Sequence, residues 1–270
     1  MNEDKFFEGV ASLKLLAKKE VGQNFLIDPR AAESIVNALD IQEGEKVLEI
    51  GCGAGSLTYF LSRYSNDIDA IDIDEAVLLK TGKDFEKTEN LHVIYGNAAK
   101  WDYSSYDKIV GNLPYYITSL LVERALTEGK KAKRMVFMVQ KEAAARLLSR
   151  PGSKDYGPLP IYLSLVANSK KLFNVGRNSF TPIPHVDSSV LRFDVIPESH
   201  NEETKETYKF AQSMFLQRRK TIFNNLKSYL RDDTKAREVL TSCGIELTRR
   251  PDAISPLEYL SLYRATKRVQ

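Results

Sequence analysis

The stretch Glu49-Ile-Gly51-Cys-Gly53-Ala-Gly55-Ser-Leu-Thr58 decides the fold. Its alternate glycines follow a strand-like run, Lys46 to Ile50, and precede a segment of helical spacing, Ser56 to Tyr64. Glycines at such a turn permit torsions closed to other residues and let a ligand approach the backbone. Outward from this point the pattern repeats. Ile68 to Ile73 reads as a strand, Glu75 to Phe85 as a helix, and Leu91 to Tyr95, Asp107 to Val110 and Arg134 to Val139 as further strands with helices between them. Such alternation implies βαβ units with right-handed crossovers, hence an α/β, mostly parallel, doubly wound sheet of Rossmann-like type.

The character changes after Pro151. Pro151 to Pro160 is rich in turn formers and reads as a surface loop, and Ile161 to Val166 and Ser188 to Val195 as strand-like or buried runs. Phe180-Thr-Pro-Ile-Pro184 cannot be a regular central strand, because each proline removes a ladder donor. Pro197 to Glu203 reads as a linker, and Glu206 to Arg231, Thr234 to Ser242 and Ser255 to Thr266 as helices. Two domains are therefore expected, a ligand-binding domain over 1–196 and a small all-α domain over 197–270.

The 270 residues carry 39 Lys plus Arg against 36 Asp plus Glu. The net +3 excludes a strongly acidic or basic protein but hides an asymmetry: 197–270 holds 14 bases and 10 acids, the remainder 25 and 26. Cys52 and Cys243 lie far apart and the histidines are scattered, so no metal site is expected. The first eight residues hold three acids, unlike a transit peptide, and no apolar run approaches membrane-helix length. The expectation is a cytoplasmic monomer without membrane contact.

What does the loop hold? A nicotinamide dinucleotide site would place a third glycine where Ser56 stands. The Gly-x-Gly-x-Gly spacing instead resembles the first motif of class I S-adenosylmethionine-dependent methyltransferases, with Gly51 and Gly53 beneath the cofactor. Asp72, closing the next strand about 20 residues on, suits the ribose hydroxyls, while Asp74 suits a helix cap. Asn97, after the third strand, falls where such domains reach the adenine ring, or serves as a turn residue.

Asn112-Leu113-Pro114-Tyr115 follows the fourth strand and so faces the ligand cleft. The Asn112 side-chain oxygen and the Leu113 carbonyl can accept both N–H bonds of an exocyclic amine, drawing the nitrogen lone pair out of conjugation. Tyr115 offers a face for base stacking. From Phe210 to Arg231 there are no acids but five bases, among them Arg218, Arg219, Lys220 and Lys227, and Lys130 to Arg134 forms a second cluster; both read as phosphate contacts.

On these motifs, together with Gly22-Gln-Asn-Phe-Leu26, Val139-Gln-Lys-Glu142, Pro151-Gly-Ser-Lys154, Phe180 to Ser188 and Gln217 to Ile222, the chain resembles the ribosomal RNA small-subunit adenine N6,N6-dimethyltransferases over about residues 18 to 265. The resemblance implies dimethylation of two adjacent adenosines near the 3′ end of small-subunit rRNA, in an immature subunit, as part of ribosome biogenesis. It implies that Gln23, Asn24 and Leu26 form a flap against the methionine part of the cofactor. It further implies that Asp72 binds ribose, that Asn97 meets adenine, and that Asn112 serves cofactor and target alike. Tyr115 and Phe180 would stack on opposite faces of the flipped adenine. The chain departs from the family in having Asn97 for the usual aspartate, Asp72 where glutamate is frequent, and Tyr116 where many relatives carry Asn. Three rival readings are a large-subunit rRNA methyltransferase of the macrolide-resistance type, an assembly factor whose catalysis is secondary, and a mitochondrial transcription factor of the same fold.

Overall fold

A computed structural model describes residues 2–13 and 23–270; Gly22, the first residue of the flap motif, lies outside them. The elements are α1 (Glu3–Ser12), β1 (Phe25–Leu26), α2 (Pro29–Asn37), β2 (Val47–Ile50), α3 (Ser56–Leu61), β3 (Ile68–Asp72), α4 (Glu75–Asp84), β4 (Leu91–Tyr95), β5 (Lys108–Asn112), α5 (Thr118–Glu128), β6 (Arg134–Gln140), α6 (Lys141–Leu147), α7 (Pro158–Val166), β7 (Ala167–Val175), β8 (Phe180–Thr181), β9 (Ser188–Val195), α8 (Glu202–Phe215), α9 (Ile222–Leu230), α10 (Asp233–Ser242) and α11 (Pro256–Val269).

The main sheet has the order β4-β3-β2-β5-β6-β9-β7. From β4 to β6 every pairing is parallel, and β9 joins β6 antiparallel. Central strands covered on both faces need apolar residues on both, which is why Val47–Ile50 and Met135–Val139 are buried without alternation. The chain leaves β2 toward β3 and β4, then returns to β5 on the other side of β2. That reversal is the topological switch point, and it opens a crevice at the carboxyl ends of β2 and β5.

The chain divides into two compact units, 1–144 with 169–195 and 145–168 with 196–270. The first holds the sheet and a core in which Phe6, Phe7, Tyr59 and Phe60 meet edge to face or stacked. The second is helical, built around Met214, Leu226, Leu240 and Leu262, and α11 begins with a Ser255–Glu258 capping box.

Three sequence expectations change. Ile161 to Val166 is the end of a helix, with Pro158 in its first turn, because a short apolar run carries no period that separates strand from helix. Glu206 to Arg231 is two helices, interrupted between Phe215 and Ile222. The boundary at 196 also misses that 145–168 packs with the tail. Tyr156 and Ile161 sit in the helical core, and Gly152 N donates to Asp252 O at 2.7 Å.

Candidate active site

The crevice is an open cavity lined by residues at and beyond the carboxyl ends of β2, β3, β4 and β5, with Gln23 to Leu26 on one side. Its floor is the glycine loop. Gly51, Gly53 and Gly55 have φ of 70°, 49° and 86°, the left-handed region that a side chain resists. Gly51 and Cys52 both donate their N–H to Ile71 O, at 2.8 and 3.0 Å, which ties the loop to the end of β3.

Asp72 braces the same loop. Its Oδ2 accepts from Gly53 N at 2.9 Å and its Oδ1 from Asp74 N at 2.9 Å. A carboxylate has about four lone-pair sites, so capacity remains for ribose hydroxyls. Asp74 caps α4 through Ala76 N, as expected, and accepts from Gln23 Nε2 at 3.4 Å. Asn97 lines the cavity while its Oδ1 accepts from Ala99 N at 2.9 Å, so the turn role and the lining role coincide. Ile73, beside Asp72 and 55% exposed, is an apolar lining residue at the end of the stretch that reads as a strand.

The flap and the reaction centre meet. Ser56 Oγ donates to Leu26 O at 2.6 Å, and Asn112 Nδ2 donates to Asn24 O at 3.3 Å. With its nitrogen so engaged, the Asn112 amide keeps Oδ1 as an acceptor. Leu113 N is held by Met138 O at 3.0 Å, which fixes the peptide before its carbonyl. Tyr115 is half-buried, its hydroxyl 3.1 Å from Ser188 Oγ on β9. Burial raises the Tyr115 phenol above its ordinary value, so it stays neutral.

The electrostatics are one-sided. Among the described residues, Glu49, Asp72 and Asp74 line the cavity and no Lys, Arg or His does. Glu49 is buried, accepts from Thr58 Oγ1 at 2.6 Å, and is pushed up to about 8, chiefly by burial and further by the charge of Asp72. Burial pushes the Cys52 thiol well up, with Glu49 and Asp72 adding to the effect, which disqualifies it as a nucleophile. Nothing in the strand pattern Lys46 to Ile50 marks Glu49 as a cavity-lining acid.

Gln23, Asn24, Leu26, Gly51, Gly53, Asp72, Asn97, Asn112, Leu113 and Tyr115 thus converge on one cavity. Phe180 does not. It is 1% exposed, pairs with Leu26 across the small β1–β8 sheet, and belongs to the core. Paired β-structure under the flap, rather than an open face, is where its apolar ring gains most.

The basic residues also separate. Arg218 Nη2 donates to Lys154 O at 2.6 Å and Ser153 O at 3.3 Å and pairs with Asp252 at 3.2 Å, so it staples the 151–154 loop within the helical unit. Lys227 pairs with Asp233 at 2.8 Å. Arg219 and Lys220 are exposed, with no side-chain partner among the described residues. In the second cluster, Lys131 pairs with Asp107, Lys133 with Glu45, and Arg134 with Asp194, at the amino ends of the parallel strands and outside the cavity lining. Those three are structural ion pairs. Asp67, Asp69 and His92 bring metal-type donors together, but the Lys46 ammonium lies 3.2 and 3.1 Å from the two acids and neutralises them.

The family model described as ribosomal RNA adenine dimethylase matches residues 14–267. A ribosomal RNA small subunit methyltransferase A from Mesoplasma florum is 34% identical, over 94% of this chain and 100% of that protein. The protein of the same name from Alkaliphilus metalliredigens is 35% identical, over 94% and 93%. Among solved structures, a dimethyladenosine transferase from Plasmodium falciparum superposes with a TM-score of 0.76 at 27% identity, covering 87% of this chain and 94% of that one. A 23S rRNA methyltransferase, ErmE, superposes with a TM-score of 0.70 at 21% identity, covering 90% and 99%, a likeness of fold.

Proposed function

This chain belongs to the ribosomal RNA adenine dimethylase family, and from that premise we propose that its cleft methylates N6 of two adjacent adenosines near the 3′ end of small-subunit rRNA, giving N6,N6-dimethyladenosine. It is an S-adenosylmethionine-dependent rRNA adenine dimethyltransferase. The observation that carries the reading is the cavity's lining next to Asn112-Leu113-Pro114-Tyr115: the carboxyls of Asp72 and Asp74, with the mostly protonated Glu49 behind them, and no base among the described residues. A pyrophosphate-bearing dinucleotide would be repelled there, whereas a ligand with a sulfonium and an ammonium fits.

When bound, S-adenosylmethionine supplies an electrophilic methyl group. The chain's own work is positioning. Asp72 and the glycine loop take the nucleoside, Asn97 its adenine edge, and Gln23, Asn24 and Leu26 cover the amino-acid tail. The target adenine leaves its stack, at a cost of a few kcal/mol, and lies on Tyr115. Asn112 Oδ1 and the Leu113 carbonyl accept from N6, localising its lone pair and stabilising the positive charge that develops there. No side chain need act as base, since the proton on the cationic N6 is acidic enough to leave to water. Arg219 and Lys220 of the helical unit meet phosphates, and the enzyme acts as a monomer on the immature small subunit in the cytoplasm.

Labelled cofactor offered to unmodified small subunits and to protein-free large-subunit rRNA tests this assignment. Transfer to small subunits is expected, and transfer only to the large-subunit RNA would overturn it.

A further inference from the structure

Tyr116 has no counterpart in the mechanism above. It sits in the 3₁₀ turn Tyr115–Ile117, which is closed by Ile117 N donating to Pro114 O at 3.3 Å and by Thr118 Oγ1 donating to Pro114 O at 3.0 Å. With about three residues per turn, neighbouring side chains of such a turn project roughly 120° apart. Tyr115 accordingly turns inward to Ser188, and Tyr116 turns outward. Tyr116 lines the cavity and is nevertheless 63% exposed, and its ring and hydroxyl have no partner among the described residues. Leu120, one turn further along, is 44% exposed and extends the apolar surface.

A large ring left uncovered at the mouth of a base-binding cavity adds nothing to the core. Its face can take a base, and its place in the chain says which one. Tyr115 and Tyr116 are adjacent, so when the first holds the extruded adenine, the second lies where the polynucleotide enters or leaves. We propose that Tyr116 is a second stacking platform, holding the base next to the target adenine and so selecting the unstacked strand presented to the cavity. This rests on the reading of the cleft as an rRNA adenine methylation site. The contact is sequence-tolerant, because every base has a π-face. It also gives the adjacent adenosine a place to wait while its neighbour is methylated.

The test is steady-state methyl transfer to unmethylated small subunits by the wild type, Tyr116→Phe and Tyr116→Ala, with subunit concentration varied. Loss of a partly exposed stack of about 1 kcal/mol is roughly fivefold. Tyr116→Ala is therefore expected to raise the KM for subunits about fivefold, with kcat, cofactor affinity and melting temperature unchanged. Tyr116→Phe should match the wild type. An unchanged KM in Tyr116→Ala overturns the proposal, and so does a Tyr116→Phe defect as large as that of alanine, which would mean a hydroxyl contact. A melting temperature lowered by several degrees in Tyr116→Ala would show a structural ring and overturn it too. If the wild type itself transfers nothing to small subunits, the functional reading falls and this inference with it, an outcome separate from the variant results.

Discussion

The two units divide the charge between them. The sheet unit, 1–144 with 169–195, holds 22 bases and 25 acids; the helical unit, 145–168 with 196–270, holds 17 and 11. In the first, the acids that matter are inside the cavity, where each is costly and must earn its place through the ligand it faces. In the second, the excess base is on the surface, where charge costs little, and a good part of it is tied into ion pairs such as Arg218–Asp252, Lys227–Asp233 and Arg264–Glu203. Charge inside the cavity of the sheet unit therefore selects a ligand, whereas surface charge in both units is first structural, as in Lys131–Asp107 and Arg218–Asp252, and in the helical unit only its remainder is available to RNA.

The sharpest break in that contrast comes from Asn112. Its oxygen is needed for the developing charge on N6 but only at the margin of cofactor binding. Asn112→Ala should lower single-turnover methylation by about a thousandfold, the upper range for loss of one preorganised transition-state contact. Cofactor affinity by calorimetry should change no more than a few-fold, and equal losses in both would sink the transition-state role.

Glu49 comes next and is read through pH. In the fold its carboxyl keeps its proton up to about 8, against an ordinary 4.5, because burial disfavours the charge. The folded state therefore binds more protons than the unfolded one between those values. Glu49's contribution to stability is full below about 4.5, declines as pH rises through the window, and levels off above about 8. Glu49→Gln, which mimics the neutral form, should melt like the wild type near pH 5 and progressively higher than it toward pH 8. It should also bind the cationic cofactor more weakly at pH 8. A melting difference that does not vary with pH would remove Glu49 from this account.

Adjacent arginines sharpen the comparison within the helical unit. Arg218 holds two backbone carbonyls and a carboxylate, so Arg218→Ala should cost about 1–3 kcal/mol of stability. Arg219 is exposed and has no side-chain hydrogen bond or ion pair among the described residues, so Arg219→Ala with Lys220→Ala should leave melting alone. That pair should weaken RNA binding and reduce the salt slope by about 2, roughly one per lost phosphate contact. Reversed outcomes, with Arg218 setting the salt slope, would restore the reading of the whole run as an RNA contact.

These two arginines also show where the sequence was legible. The glycine loop, the acid about 20 residues on and the tetrapeptide after β5 could be placed because each follows a strand end, and a doubly wound sheet brings strand ends together. Phe180 and Arg218 could not. Whether a ring faces a cavity or packs under a flap, and whether a guanidinium finds a carbonyl 64 residues away, depends on tertiary contacts with no local period. β7 was hidden for a related reason: as an edge strand it carries Asn168-Ser-Lys-Lys171 and lacks the apolar signature of its neighbours.

Asn97 gives the smallest effect, and it tests whether the cavity's charge is a ligand-selecting feature or a by-product of loop bracing. Its Oδ1 already accepts from Ala99 N at 2.9 Å, so the side chain is held at the edge of the cavity whichever residue stands there. Asn97→Asp preserves that cap, exchanges an amide nitrogen for a second acceptor oxygen, and adds a fourth acid to a lining without bases. A charge-assisted hydrogen bond is about twice as strong as a neutral one, so about 1 kcal/mol, or fivefold, is the gain to expect in cofactor affinity by calorimetry. The gain should shrink with added salt, because the cavity is open to solvent. If bracing alone explained the acids, a new carboxylate beside Asp72 and Asp74 would only repel them, and both affinity and melting temperature would fall.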